Sequence, residues 1–153
     1  MTEITDVRAL ASRIGDEIAV SDWLEVSQAR IDQFAAATGD NQWIHVDAAR
    51  AAAESPFKTT IAHGFLTLSL VSILIRSAMT LSGLRMAINY GVNRVRFVSP
   101  VPSGSRVRAR FAPAAVADAA DGSVQVTWTA TIEREHGDKP CCVAEWVVRY
   151  YLR

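Results

Sequence analysis

The chain is short of the features that mark secreted, membrane-spanning and nucleic-acid-binding proteins. It has two cysteines, Cys141 and Cys142, adjacent in a strand-like segment. Neighbouring strand residues point to opposite faces, so no disulfide between them is expected, and two ligands alone make no metal site. No run of 18 apolar residues occurs, which removes a membrane-spanning helix. Residues 1–17, MTEITDVRALASRIGDE, carry acids where a secretory leader needs bases, and they lack its apolar run. The expectation is a cytoplasmic protein. Sixteen basic and sixteen acidic residues cancel, which offers nothing to nucleic acid or an anionic membrane. Lysine is scarce, at 2 residues against 14 arginines, a skew that reads as the base composition of the source genome. Repeats, low-complexity tracts and linkers are missing. Half the residues are hydrophobic, so 1–153 reads as one folded domain rather than a disordered chain.

What is present centres on Ile61–Thr80, IAHGFLTLSLVSILIRSAMT. Its apolar residues cover almost every side of a helical wheel, the pattern of a helix buried at the centre of a domain. Gly64 is expected to open this helix after the small and polar Lys58–His63, and Gly83 to cap its far end in the left-handed conformation. The N-terminus of a helix presents free N–H groups to a negatively charged or polarised atom.

Ahead of that stretch, residues 6–14 predict a short helix with Val7, Leu10 and Ile14 on one face, and Asp22–Val26 is β-prone. Ser27 reads as the N-cap of a helix carrying Ile31, Phe34 and Ala35 and ending at Thr38-Gly39. Asp47 reads as the cap of another, Ala48–Glu54. Beyond Gly83 the period becomes two. Met86, Ile88, Tyr90 and Val92 share one parity and Val95 and Phe97 the other, which predicts a bulge or break near Asn93. Three more alternating segments follow, separated by turns at Pro100–Gly104, Asp121-Gly122 and Gly137–Pro140. Helices followed by strands at hairpin spacing predict an α+β domain, an antiparallel sheet packed on one long helix.

The densest polar cluster is Thr38–Asp47, TGDNQWIHVD, between two predicted helices. A carboxylate and an imidazole five positions apart on a loop, Asp40 and His45, can converge on one water molecule. The spacing alone is weak, because Asp and Asn also populate loops for turn geometry. Ala62-His63-Gly64 adds a second signal: a glycine N–H where a helix begins can hold a developing oxyanion with no side chain in the way. His63 fits either catalysis or a hydrogen bond that holds the loop. Trp43 fits either an acyl pocket or a loop anchor. Arg106, Arg108 and Arg110 fit a solvated strand face or, with Arg94 and Arg96, a grip on phosphates. Trp128 and Trp146 fall on apolar parities and read as core or interface.

Ala37–Asp40 with Ile44–Asp47, and then Ile61–Thr67, resemble the hydratase motif of the MaoC-like dehydratases, the (R)-specific enoyl-CoA hydratases of the hot-dog fold. The Gln42–His45 variant is similar to the nodulation-protein-N-like branch. Asn93–Phe97, Pro100-Val101 and Gly104 resemble the family's strand after its helix. The resemblance implies a single hot-dog domain, an antiparallel sheet wrapped around the central helix, and a homodimer binding acyl-CoA near the subunit interface. It implies that Asp40 and His45 activate the catalytic water and that the Gly64 N–H polarises the thioester carbonyl. Gln42, Trp43, His63, Arg94 and Arg96 are the expected substrate-binding residues. The implied reaction is reversible hydration of a trans-2-enoyl thioester to the (R)-3-hydroxyacyl product, with no metal or redox cofactor and with coenzyme A, or acyl carrier protein in its place, as part of the substrate. Many family members have Asn and Pro where this chain has Gln42 and Trp43. Two alternatives stand beside this one: a hot-dog acyl-CoA thioesterase, and a non-catalytic subunit that binds acyl thioesters.

Overall fold

A computed structural model describes residues 1–153. The chain opens with β1 (Thr2–Ile4), a 3-10 helix (Val7–Arg13), β2 (Ala19–Val20) and β3 (Leu24–Val26). Three helices follow: α1 (Gln28–Thr38), α2 (Trp43–Val46) and α3 (Ala48–Glu54). Next come α4 (Gly64–Ser69), α5 (Val71–Ala78), β4 (Met79–Leu81) and four long strands, β5 (Leu84–Arg96), β6 (Ser105–Asp118), β7 (Val124–Arg134) and β8 (Pro140–Leu152). The long strands form an antiparallel sheet in the order β2-β6-β7-β8-β5, with β3 also on β6. This is the α+β domain that the alternation predicts.

The capping residues act as their chemistry dictates. Ser27 Oγ accepts the Arg30 N–H, and the Asp47 carboxylate accepts the Arg50 N–H. Gly39 closes α1 at φ +78°, a conformation that costs glycine nothing. The 3-10 helix buries Val7 and Leu10, whereas Ile14, expected on the same face, lies past its end and is exposed.

The core lies between α4–α5 and the concave sheet face. Leu66, Leu70, Val71, Leu74 and Ala78 pack against strand residues that include Val107, Ala109, Phe111, Val126, Trp128 and Ile132. The Trp128 indole N–H donates to the buried Tyr150 hydroxyl at 2.9 Å, so the largest core side chain leaves no polar atom stranded. Leu74 is 2% exposed, and its truncation to alanine costs about 2–5 kcal/mol.

Three expectations are corrected. The helix does not run to Thr80. It steps at Leu70 and stops at Ala78, after which Met79–Leu81 turns extended and pairs in parallel with Thr2–Ile4. A strand contributed from the far N-terminus overrides local helical pattern. Gly83, at φ +72°, therefore serves the turn from β4 to β5 rather than a helix end. The helix is also not buried all round, since Phe65 and Ile73 face outward at 69% and 44% exposure. The parity switch in β5 is a register shift between Val92 and Arg94 against β8, one of three along that strand.

Candidate active site

The site forms where α2, the segment 60–63 and the start of α4 meet. His45 lies on the single turn of α2, in a stretch that reads as loop from sequence. Backbone bonds fix that turn from outside. Ile61 N–H donates to Ile44 C=O at 3.0 Å, Ala62 N–H to Val101 C=O at 2.8 Å, and Ser103 N–H to Thr60 C=O at 2.9 Å. Gln28 adds a side-chain strut, donating from Nε2 to the His45 carbonyl at 2.8 Å while its own carbonyl oxygen accepts the Thr60 hydroxyl.

His45 is buried, and its Nδ1 is 2.7 Å from the Ile61 carbonyl oxygen. A carbonyl can only accept, so Nδ1 carries the proton and Nε2 keeps a bare lone pair. His63, 2% exposed, places Nε2 at 2.9 Å from the Asp40 carbonyl oxygen, which by the same argument leaves its Nδ1 bare. The two imidazoles stack at 3.8 Å with 24° between their planes, and Phe34 lies 4.9 Å behind His63. One carboxylate oxygen of the exposed Asp40 and one ring nitrogen from each histidine lie within 4.8 Å of one another. That spacing suits a water molecule bridging two groups. The same three ligand atoms also lie close enough together to share a metal ion.

A groove of about 310 Å³ opens onto His45, with Gly64, Thr67, Phe97, Val98 and Cys141 among its walls. Gly64 is the first residue of α4, so its N–H has no acceptor within the helix. Burial pushes the Cys141 and Cys142 thiols up, the latter to about 11.

The structure brings Asp40, His45 and His63 into one cluster and puts Gly64 on the adjoining groove. His63 makes the loop-holding hydrogen bond that the sequence allows for it, from Nε2 to the Asp40 carbonyl. It sits beneath His45 and is absent from the groove walls. Gln42 is exposed at the start of α2, its N–H 3.4 Å from the Asp40 carboxylate. Trp43 lies under the Arg50 guanidinium, 4.3 Å from the ring centre, outside the groove. Arg94 and Arg96 line a separate depression with Thr129, Val143 and Glu145, which shares Val98 with the groove. Arg106, Arg108 and Arg110 are committed elsewhere, to Glu135, Glu133 and Glu17. They form a neutralised strand face and leave no phosphate grip. Sequence reasoning missed Gln28 and the part played by the Ile61 carbonyl. Their partners lie 17 and 16 residues away on other segments, and a side-chain bond to a backbone carbonyl leaves no motif.

A helix across a curved antiparallel sheet, with the site at the helix start, is the hot-dog architecture. A solved (R)-hydratase from A. caviae, described as involved in PHA biosynthesis, superposes with a TM-score of 0.66 at 26% identity, over 88% of this chain and 96% of that one. The MaoC like domain model matches residues 9–134, and the chain belongs to that family. It is 51% identical to 3-hydroxyacyl-thioester dehydratase Z of Mycobacterium tuberculosis H37Rv, across 98% of this chain and 99% of that protein. It is 48% identical to Nodulation protein N of Rhizobium leguminosarum bv. viciae, across 89% and 85%. The chain is accordingly an enzyme of the hydro-lyase class. No helix in it is long and apolar enough to cross a membrane.

Proposed function

We propose that the chain catalyses reversible hydration of trans-2-enoyl thioesters to (R)-3-hydroxyacyl thioesters. The observation that carries this reading is the His45 Nδ1–H bond to Ile61, which leaves Nε2 bare beside the Asp40 carboxylate and next to the groove where the Gly64 N–H stands. In hydration the water oxygen bonds to the β-carbon while one water proton passes to His45 Nε2. The electron pair of the carbon–carbon double bond moves toward the thioester, whose developing oxyanion accepts a hydrogen bond from Gly64. Asp40 orients the water, and the proton held on His45 goes to the α-carbon, on the face from which the oxygen arrived. Addition is therefore syn. No electrons leave the substrate, so the reaction as proposed calls on no redox cofactor.

Coenzyme A is the thiol carrier that this reading assigns, with Arg94 and Arg96 meeting its phosphates. Both are exposed on β5, and neither is in a salt bridge with an acidic side chain. Two copies are proposed to pair along β5. This is an edge strand 13 residues long that presents Met86, Ile88, Tyr90 and Val92 to solvent, and an open apolar edge invites a partner.

The test is the hydration rate of crotonyl-CoA and longer trans-2-enoyl-CoAs. Asp40→Asn and His45→Gln should each lower kcat by about 10²–10⁴, and the double variant should be little slower than either single one. Near-wild-type turnover in both single variants would locate the chemistry elsewhere. Release of free thiol from saturated acyl-CoA would replace this reading with thioester hydrolysis.

A further inference from the structure

His63 is the more deeply buried of the two histidines at the site, and one of its two nitrogens has no partner. Its Nδ1 has essentially no solvent exposure and no hydrogen bond, one of two side-chain atoms in the chain left so. Buried polar groups are nearly always paired, and an orphan costs the desolvation of that group. The rest of the ring is fully engaged. Its Nε2–H donates to the Asp40 carbonyl at 2.9 Å, one face stacks on His45 at 3.8 Å, and Phe34 lies at 4.9 Å. The Asp40 loop has few other ties. Its own backbone N–H reaches only the Thr38 hydroxyl at 3.4 Å, and its carboxylate takes the Gln42 N–H at 3.4 Å, both long.

We infer that His63 is a positioning residue, which holds the Asp40 backbone by one hydrogen bond and the His45 ring by one stack, and that the unpaired Nδ1 is a stability cost kept because no other side chain as small supplies both. A leucine or phenylalanine would pack beneath His45 and leave the Asp40 carbonyl loose. An amide would hold the carbonyl and lose the stack. Imidazole is the smallest side chain that is flat, aromatic and a donor at the far ring atom, and the ring here is packed against both His45 and Phe34. Its second nitrogen is the unavoidable remainder. His63 touches no substrate in this scheme and acts through Asp40 and His45. The inference depends on the hydration chemistry proposed above, and on no contact with the acyl group.

The distinguishing signature is that one substitution should raise stability and lower turnover together. His63→Phe keeps the aromatic stack, removes the orphaned nitrogen and deletes the donor. Its Tm should rise by about 2–4 °C, the shift that roughly 1 kcal/mol gives in a chain this size. Its kcat on crotonyl-CoA should fall about 10- to 100-fold, the scale of an ångström-level misplacement of a catalytic group. KM should stay within about twofold, because no substrate contact is lost. His63→Gln restores a donor at the position of Nε2 and loses the stack, so its kcat should also fall below that of the wild type, without the gain in Tm. Histidine ring ¹⁵N spectra of the wild type give a readout independent of activity: His63 should carry its proton on Nε2 and His45 on Nδ1.

Wild-type kcat in His63→Phe would overturn the inference, as would a KM rise that accounts for the whole loss. A His63→Gln variant at the wild-type kcat would also overturn it, as would ring spectra that put the His63 proton on Nδ1, a readout that stands even should the phenylalanine variant fail to fold. A wild-type protein with no hydratase activity on any enoyl thioester would instead remove the functional reading, and the ring spectra would still decide the hydrogen bond.

Discussion

The Phe97 ring occupies the space that any side chain at residue 64 would need: a Cβ built on Gly64 would stand 2.8 Å from Phe97 Cδ2. Gly64 does not have a positive φ, so glycine is required there by crowding and not by backbone conformation. Gly64→Ala keeps the backbone N–H and should still fold, because Phe97 is half exposed and can swing aside. The displaced ring then enters the groove, and kcat/KM on an enoyl thioester should fall about 10-fold or more. Gly64→Ala with Phe97→Ala should recover most of that loss. A single variant at the wild-type rate would mean that the ring does not shape the path to His45.

The two sets of arginines should separate cleanly. Arg94→Ala and Arg96→Ala should each raise KM for an enoyl-CoA, since an exposed charge contact of about 1 kcal/mol is worth roughly fivefold. The rise should vanish with an enoyl-pantetheine substrate, which lacks the nucleotide phosphates. Arg108→Ala should leave KM unchanged and lower the Tm, because that guanidinium is already spent on Glu133 and on the Trp23 ring, 4.5 Å away. Equal KM values for the two thioesters in wild type would exclude Arg94 and Arg96 as the phosphate grip.

Glu133 supplies a pH signature of stability. Hydrogen bonds from Arg110 and then Arg108 hold its carboxyl below the ordinary value of 4.5, against a smaller opposing effect of burial. A folded-state pKa depressed below the unfolded one adds stability that is present above the unfolded pKa and lost as pH falls through the folded pKa. Glu133→Gln should therefore lower the Tm by about 2–4 °C at pH 7, as expected for a partly exposed pair worth up to about 1 kcal/mol. The gap between variant and wild type should narrow as pH falls below the ordinary carboxylate range and through the depressed pKa, and close where both side chains are uncharged. Thermal melts at several pH values measure this, and a gap that does not narrow on acidification would assign the effect to packing.

Both cysteines should be silent in the folded protein. Cys141 and Cys142 are 1% and 0% exposed, and burial disfavours their thiolates, the reactive form. A thiol-specific chromogenic reagent at pH 8 should titrate no thiol in the native protein and two after denaturation. One fast native equivalent would mean that the groove wall at Cys141 opens on that timescale.

Much of this fold is written in period and punctuation. The alternation of Val124, Val126, Trp128, Ala130 and Ile132 predicts a strand with one buried face, and all five are essentially buried. Ser27, Gly39 and Asp47 mark helix ends because capping is local chemistry that a few residues settle. The extended conformation of Met79–Leu81 is illegible, since its partner Thr2–Ile4 lies 77 positions earlier and its own sequence continues the helical pattern. The candidate site divides the same way. Asp40, His45 and Gly64 stand out as residue types at a spacing. The tautomer of His45 and the burial of His63 depend on carbonyl groups that any residue could supply.

The backbone bonds that join residue 61 to 44, 62 to 101 and 103 to 60 also bear on protein engineering. None of the segments carrying Asp40, His45 and Gly64 holds its shape by local bonds alone, because each is braced by a stretch distant in sequence. Moving the Asp40–Asp47 loop onto another scaffold would carry the side chains across without the carbonyl of Ile61 that sets His45. The transplantable unit is all three segments with the ties between them, so new activities are better sought by reshaping the groove walls around a framework left intact.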